Sequence, residues 1–243
     1  MLLRSRASFK GARRAAGADV TQLSIRDNLI REYLLTGDSL ASTAGGADAF
    51  FGTGRSNDPV FTERGLRWHL DERMNPLRWA MPALADDYTV GVVFRIDHWG
   101  PHVNYYAEFG DSYGVQFWRG FLRWLGDVSP SRDVALLTSV TSTDGPWYHI
   151  TATLPPDSLE RRSYKQGLHQ STVSFGGSAA LAGDLGKFPN YGMGHDRYMK
   201  GELGLVYMYD RQLSGEEIAT LHEDAVAIME GRGVSTANWG TGE

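Results

Sequence analysis

The 243-residue sequence contains no cysteine, so disulfide bonds, thiol catalysis and thiolate metal sites are all excluded. It has no apolar run near the roughly 18 residues of a membrane span, and no signal-peptide core follows the basic N-terminal residues. The net charge of −5 gives no general attraction for nucleic acid or anionic membranes. We therefore expect a soluble chain that is synthesised in the cytoplasm and does not leave by the general secretory route.

The motifs of common enzyme classes are also missing. The sequence has no Gly-x-Ser-x-Gly elbow and no His-Glu-x-x-His motif. Glycosidases need two carboxylates that flank one bond, and Glu108 stands alone on its predicted strand. We expect a protein that is not an enzyme and that requires no cofactor.

The sequence is rich in short segments of alternating apolar and polar residues, separated by turns that contain many of its 29 glycines. The segment 89–96 is followed by further alternating segments at 103–109, 113–118 and 121–125, which predicts a meander of adjacent antiparallel strands. Roughly ten such strands and one helix at the end predict an all-β, two-sheet antiparallel jelly-roll sandwich.

The C-terminal part carries the clearest local signals. Residues 201–209 alternate as a strand, and Ser214 with Glu217 forms the spacing of a helix capping box. Apolar residues then recur on one helical face until glycines stop the pattern. The apolar positions are Ile218, Leu221, Ala225 and Ile228, and the stop signals are Gly231 and Gly233.

This strand–turn–helix unit resembles the closing motif of laminin-G-like domains, which have the concanavalin A-type jelly roll. Residues 144–154, DGPWYHITATL, and residues 87–96, DYTVGVVFRI, resemble two earlier strands of the same family and occur in the expected order. The resemblance covers roughly residues 60–225. It implies glycan binding on the concave sheet or at its rim, and in some members a calcium ion at the rim.

The chain divides into four predicted parts. Residues 1–20 form a basic arm, residues 21–58 a lead-in segment with a loop rich in glycine and alanine, residues 59–230 the laminin-G-like jelly roll, and residues 231–243 a tail. The apolar spacing of residues 21–35 predicts a short helix that leads into a strand.

The arm has five basic residues before its first acidic residue, Asp19. We interpret it as a segment that docks on other protein subunits, with a solvated tail, an organelle transit peptide and nucleic-acid docking as alternatives. The docking residues are Arg4, Arg6, Lys10, Arg13 and Arg14.

One face of the predicted meander combines aromatic and planar polar residues. Aromatic rings cover the apolar faces of sugars, and planar polar groups bond their hydroxyls, so this face suits a glycan. The alternative is an ordinary solvated sheet face, or one covered by another subunit. The candidate residues are Arg95, Asn104, Tyr106, Glu108, Gln116 and Trp118.

Metal binding has only weak candidates. The predicted turns contain Asp97, Asp111 and Asp127, which are the weak candidates for a calcium site, although no fixed loop pattern is present. Zinc is disfavoured because the two histidines at 98 and 102 flank a Gly-Pro step that prevents a helix. His149 matches the family's Trp-x-His strand and is interpreted as structural.

These observations predict a non-catalytic binding or structural module. Domains that resemble it occur in extracellular adhesion proteins and in virions, and the absence of a signal peptide and disulfides favours a bacteriophage tail-fibre or capsid-decorating protein. We expect it on a virion or extracellular surface, anchored by its arm and in contact with host glycans. The alternatives are a glycan-cleaving hydrolase that pairs Glu108 with a carboxylate of another strand, and an architectural oligomer subunit.

Overall fold

The computed structural model describes residues 20–53, 57–68, 74–81, 87–98, 107–109, 114–118, 121–125, 132–135, 146–154, 160–174, 185–188 and 200–240. In chain order the strands are β1 (Leu29–Tyr33), β2 (Phe50–Phe51), β3 (Val60–Thr62), β4 (Gly65–Trp68), β5 (Leu77–Ala80), β6 (Tyr88–His98), β7 (Ala107–Phe109), β8 (Gly114–Trp118), β9 (Phe121–Leu125), β10 (Arg132–Ala135), β11 (Trp147–Leu154), β12 (Glu160–Lys165), β13 (Leu168–Ser174), β14 (Leu185–Phe188) and β15 (Lys200–Tyr209). A helix, α1 (Gly215–Gly231), and a short 3-10 helix at Thr236–Asn238 follow.

The strands form two antiparallel sheets. The eight-stranded sheet has the order β13-β12-β11-β6-β15-β4-β3, and β1 pairs with β15 beyond the end of β4. The seven-stranded sheet has the order β10-β9-β8-β7-β14-β5-β2. The predicted two-sheet antiparallel sandwich is confirmed.

The predicted meander is only partly correct. Strands β7 to β10 do follow one another in the seven-stranded sheet. Strand β6, however, lies in the other sheet, between β11 and β15. The alternation of β6 correctly fixed which residues face inward, but alternation carries no information about which strand lies alongside.

The main core lies between the two sheets. Val90, Val92, Phe94 and Ile96 of β6 all face it, as their spacing predicted. Large aromatic side chains fill the space between the sheets, and the rings of Trp68 and Phe188 meet edge to face at 5.2 Å. One face of the seven-stranded sheet packs against this core, and the other face is directed outward.

Helix α1 begins at the predicted capping box. The Ser214 amide donates to the Glu217 carboxylate at 2.8 Å, and the Glu217 amide donates to the Ser214 hydroxyl at 3.2 Å. Arg211 adds an ion pair to Glu217 at 2.7 Å, and this bond is the main reason that the pKa of Glu217 falls to about 2. The helix start is thus specified entirely by local residues.

The apolar face of α1 packs on the outer face of the eight-stranded sheet and builds a second core there. The four predicted apolar helix residues, Ile218, Leu221, Ala225 and Ile228, are all buried in it. On the sheet side, Leu205, Tyr207 and Tyr209 of β15 contribute. A register shift between Leu203 and Leu205 breaks the simple alternation of β15, so that Leu203, Val206 and Met208 face the main core instead.

Of the short helix and following strand predicted for residues 21–35, the helix is wrong and the strand is present. Residues 29–33 form β1, and the described residues before it are turns and irregular backbone. The apolar side chains there are buried for another reason, because Leu23 and Leu29 belong to the second core beneath α1. None of the helices in the described residues has the length and hydropathy of a membrane span.

Candidate functional site

A row of polar residues crosses the seven-stranded sheet. In the register, Glu108 of β7 is the partner of Gln116 on β8, and Gln116 is the partner of Arg123 on β9. On its other side Glu108 is the partner of Lys187 of β14. Asp133 and Arg78 extend the row to β10 and β5 in the same way. Because cross-strand partners share a face, these six positions lie side by side.

The row lies on the face that points away from the core. Phe109, the neighbour of Glu108, is 3% exposed and belongs to the main core. On β5, Leu77 and Trp79 are buried in the same core, whereas Arg78 between them is half-buried. Successive residues of a strand alternate between faces, so the polar row occupies the outer face of the sandwich.

Two aromatic positions follow the row on the same face of the sheet. Trp118 lies two residues beyond Gln116 on β8 and therefore on the same face, and its register partner is Phe121 of β9. The outer face thus combines two aromatic residues with carboxylate, amide and guanidinium residues on neighbouring strands. This is the set of groups that binds the apolar faces and hydroxyls of sugars.

The register puts the positions of three of the six predicted glycan-site residues, Glu108, Gln116 and Trp118, on one face, and their role in glycan binding stays a prediction. Asn104 and Tyr106 lie outside the described residues. The placement of Arg95 on this face was wrong, because β6 belongs to the other sheet. Sequence reasoning did not include Arg78, Arg123 and Lys187, which only the register of the sheet places in the row.

Arg95 instead belongs to a buried ionic cluster on the outer face of the eight-stranded sheet. Its Nε lies 2.9 Å from Asp97 Oδ1, and a terminal nitrogen lies 3.2 Å from Glu202 Oε2. Arg64 and Arg67 contact Glu202 from the partly exposed rim, at 3.0 and 3.5 Å. Charged residues on strands that are distant in the sequence thus neutralise each other in this buried cluster.

This cluster changes the interpretation of Asp97 as a calcium ligand. Both of its carboxylate oxygens contact guanidinium groups, of Arg95 and Arg67. Cationic partners already occupy the positions that a calcium ion would need. The other two candidates, Asp111 and Asp127, lie outside the described residues, and the described part of the chain holds no cluster of three potential metal ligands.

The side chain of His149 on β11 is buried against α1, and both of its ring nitrogens have a polar partner. Its Nε2 lies 2.7 Å from the Tyr207 hydroxyl, which is also 2.7 Å from the Thr151 hydroxyl. Its Nδ1 lies 3.3 Å from Nδ1 of His222 on α1. The structural role predicted for His149 agrees with this geometry, whereas the contribution of His222 had no signal in the sequence.

A cleft of about 510 Å³ lies where the start of the described chain meets the end of α1. Thr21, Glu63, Ile228 and Arg232 are among its lining residues. The Arg232 guanidinium donates to the backbone carbonyl of Gly204 at 2.8 Å, and burial lowers its pKa to about 10. The Arg232 guanidinium therefore serves as a hydrogen-bond donor to the backbone beneath the cleft.

Together these features define a class of protein: an antiparallel two-sheet sandwich with a helix packed on one outer face and a polar and aromatic row on the other. The chain belongs to the concanavalin A-like lectin/glucanases superfamily, whose laminin-G family model matches residues 75–219. The resemblance seen in the sequence is thereby confirmed. No curated protein sequence matches the chain.

Among the solved structures with the same fold are those of botulinum neurotoxins and of Paraclostridial Mosquitocidal Protein 1. Botulinum neurotoxin type C, whose cell uptake depends on two ganglioside molecules, is 12% identical, with a TM-score of 0.60 over 83% of this chain and 52% of that chain. The binding domain of Paraclostridial Mosquitocidal Protein 1 is 17% identical, with a TM-score of 0.62 over 81% of this chain and 52% of that one.

A third structure is the binding domain of botulinum neurotoxin DC in complex with rat synaptotagmin II. It is 15% identical, with a TM-score of 0.59 over 83% of this chain and 52% of that chain. This chain thus spans about half the length of the structures that it matches. At these identities the comparison shows the fold alone.

Proposed function

We propose that this protein is a non-catalytic binding module that holds surface glycans on the outer face of its seven-stranded sheet. The observation that carries the proposal is the register, which places Glu108, Gln116 and Trp118 on one face beside Phe121. The outer face of the other sheet is already occupied by α1. Among the described residues, no helix packs on the outer face of the seven-stranded sheet, and we therefore propose this face for the ligand.

The comparisons support a binding role in a limited way. Cell entry of botulinum neurotoxin type C depends on two ganglioside molecules, and the binding domain of botulinum neurotoxin DC forms a complex with rat synaptotagmin II. Because this chain matches only about half of each domain, those ligands do not transfer directly. The chemistry of the row, with aromatic and hydrogen-bonding residues side by side, is the stronger argument for a glycan.

The arrangement of carboxylates argues against a glycan-cleaving enzyme on this face. Within the described strands of the seven-stranded sheet, the acidic residues are Glu108 and Asp133. They are separated by three strand spacings, or about 14 Å. Glycosidase carboxylates stand roughly 5 to 9.5 Å apart, so this pair is too far apart to flank one bond.

The first experiment is a glycan array probed with the full chain and with Trp118→Ala. We expect the wild type to bind a defined set of glycans and Trp118→Ala to lose about tenfold or more in affinity, since a stacked ring contributes about 1 to 3 kcal/mol. Leu168→Ala is the matched control, because Leu168 is an exposed apolar residue on β13 of the other sheet. Absence of glycan binding, or equal losses in both variants, would contradict the proposal.

The biological setting is a separate proposal. The arm residues Arg4, Arg6, Lys10, Arg13 and Arg14 lie outside the described residues, so docking on a virion or other assembly stays a prediction. Analytical ultracentrifugation of the full chain and of a chain lacking residues 1–18 tests it. Assembly that requires the arm would support a docked component, and monomers in both cases would contradict it.

A further inference from the structure

Two histidines face each other across the contact between α1 and the eight-stranded sheet. The rings of His149 on β11 and His222 on α1 stack at 5.5 Å between centroids and 20° between planes. Their Nδ1 atoms lie 3.3 Å apart. Two neutral rings fit this geometry, since one Nδ1–H donates and the other Nδ1 accepts. Two protonated rings would bring two N–H groups head to head.

Other groups around the pair provide little compensation for a positive charge. From β15, the Tyr207 hydroxyl lies 2.7 Å from His149 Nε2, and burial raises the pKa of this tyrosine. On α1, the two acids after His222 are directed elsewhere, because Glu223 is exposed and Asp224 accepts from Ser24. No carboxylate described in this contact is bonded to either ring.

The turn after the adjoining strand β12, Gln166 and Gly167, adds no charged group, and the acid of β12, Glu160, is exposed at the far end of that strand. Tyr164 of β12 is buried in the same second core, whereas Lys165, whose pKa is lowered by burial, pairs with Ile150 and lies on the opposite face of the sheet from His149. The Gln166 side chain accepts from the His149 backbone amide at 2.7 Å and is uncharged. A proton on the fully buried His149 would therefore lie among apolar, aromatic and hydroxyl groups, whereas His222 is partly exposed.

Burial lowers the pKa of His222 to about 4, and burial followed by the neighbouring His222 lowers the pKa of His149 well below its ordinary value. A histidine with a lowered pKa stabilises the closed contact fully above the ordinary pKa of 6.5. That stabilisation is lost as the pH falls from about 6.5 toward about 4.

The same contact holds both ends of the described chain. The N-terminal segment is attached to α1 where Ser24 donates from its amide and its hydroxyl to Asp224, at 2.7 and 2.6 Å. The C-terminal segment lies on His222 through the edge of the Trp239 ring at 5.4 Å, and the Gly240 amide donates to the Trp147 carbonyl at 2.9 Å. Opening of the histidine contact would loosen all three elements together.

We propose that the His149–His222 pair is an acid-sensitive latch that releases α1 and the terminal segments from the eight-stranded sheet while the two-sheet sandwich stays folded. The main core between the sheets contains neither histidine. Acid release would uncover the apolar sheet face formed by Val93, Leu205 and Tyr209. This inference does not depend on the proposed glycan function.

The test is hydrogen exchange of the full chain at pH 7.5 and pH 5, corrected for the intrinsic exchange rate. A histidine whose pKa falls from 6.5 to about 4 on closing increases the opening equilibrium about 30-fold between these pH values. We expect that increase in peptides of residues 215–231 and not in peptides of β6. His222→Gln cannot be protonated and should remove the roughly 30-fold factor that His222 contributes, which leaves only the contribution of His149.

His169→Gln is the matched control, because His169 is an exposed histidine on β13, and this variant should keep the full acid response. If His222→Gln loosens the helix already at pH 7.5, the histidine NMR titration of the wild type decides. Titration of both rings below about pH 5 supports the latch. Titration near pH 6.5, an unchanged helix at pH 5, or simultaneous opening of helix and sandwich would overturn it.

Discussion

At Gly91 on β6, the neighbouring side chains leave no space for a residue larger than glycine. A Cβ atom at this position would lie 2.2 Å from the Tyr207 phenol oxygen, which bonds to His149 and Thr151. All of these neighbours are buried, so the ring has no free space into which to move. The glycine is required by a neighbouring side chain and not by a turn.

We predict that Gly91→Ala lowers the free energy of unfolding by about 2 to 3 kcal/mol, because the methyl group overpacks the contact between β6 and Tyr207. Urea denaturation measures the difference. Gly215→Ala is the control, since a Cβ there meets nothing within 4 Å and alanine favours a helix. Equal stabilities of Gly91→Ala and wild type would show that this packing is looser than described.

At the scale of elements, α1 is held by polar anchors as well as by its apolar face. Asp224 is 1% exposed and accepts two hydrogen bonds from Ser24, which is 200 residues away in the sequence. These bonds satisfy a backbone amide of the N-terminal segment inside the contact. The anchor thus connects the two ends of the described chain.

Replacement of this anchor should weaken the helix contact. Asp224→Ala removes a charged acceptor from the Ser24 amide, and we predict a loss of about 1 to 3 kcal/mol in unfolding free energy. Guanidinium denaturation, followed by circular dichroism, checks it. Glu223→Ala, one residue away and exposed, should change stability by less than about 0.5 kcal/mol. Similar losses in both variants would argue against the anchor.

The sequence predicted this element well because its signals are local. Ser214 and Glu217 mark the start of α1, and four apolar residues that share one helical face predict its buried side. The partners across that contact are different in kind. Neither Asp224–Ser24 nor His149–His222 leaves a pattern in the sequence, because each joins residues that only the tertiary fold brings together.

The same distinction explains the glycan-site prediction. Alternation correctly placed Glu108, Gln116 and Trp118 on one face, because the face of a residue depends only on its own strand. Arg95 was assigned to the wrong sheet because strand neighbours are set by the path of the chain. Its partner Glu202 is on β15, and no pattern in the sequence indicates that β15 lies beside β6.

At the scale of the whole molecule, the two outer faces have different roles. The eight-stranded sheet is covered by α1, and its remaining outer surface holds the Arg95–Asp97–Glu202 cluster. The seven-stranded sheet carries the polar row with Trp118 and Phe121 on its outer face. Because the two outer faces differ in this way, we propose the outer face of the seven-stranded sheet for binding.

The most direct measurement is a hydrogen-exchange footprint of the full chain bound to the strongest glycan from the array. We predict slower exchange in residues 107–109, 114–118 and 121–125, which carry the outer-face row, and little change in residues 160–174 of the other sheet. Protection centred on β12 and β13, or on α1, would place the ligand on the opposite side and contradict the account.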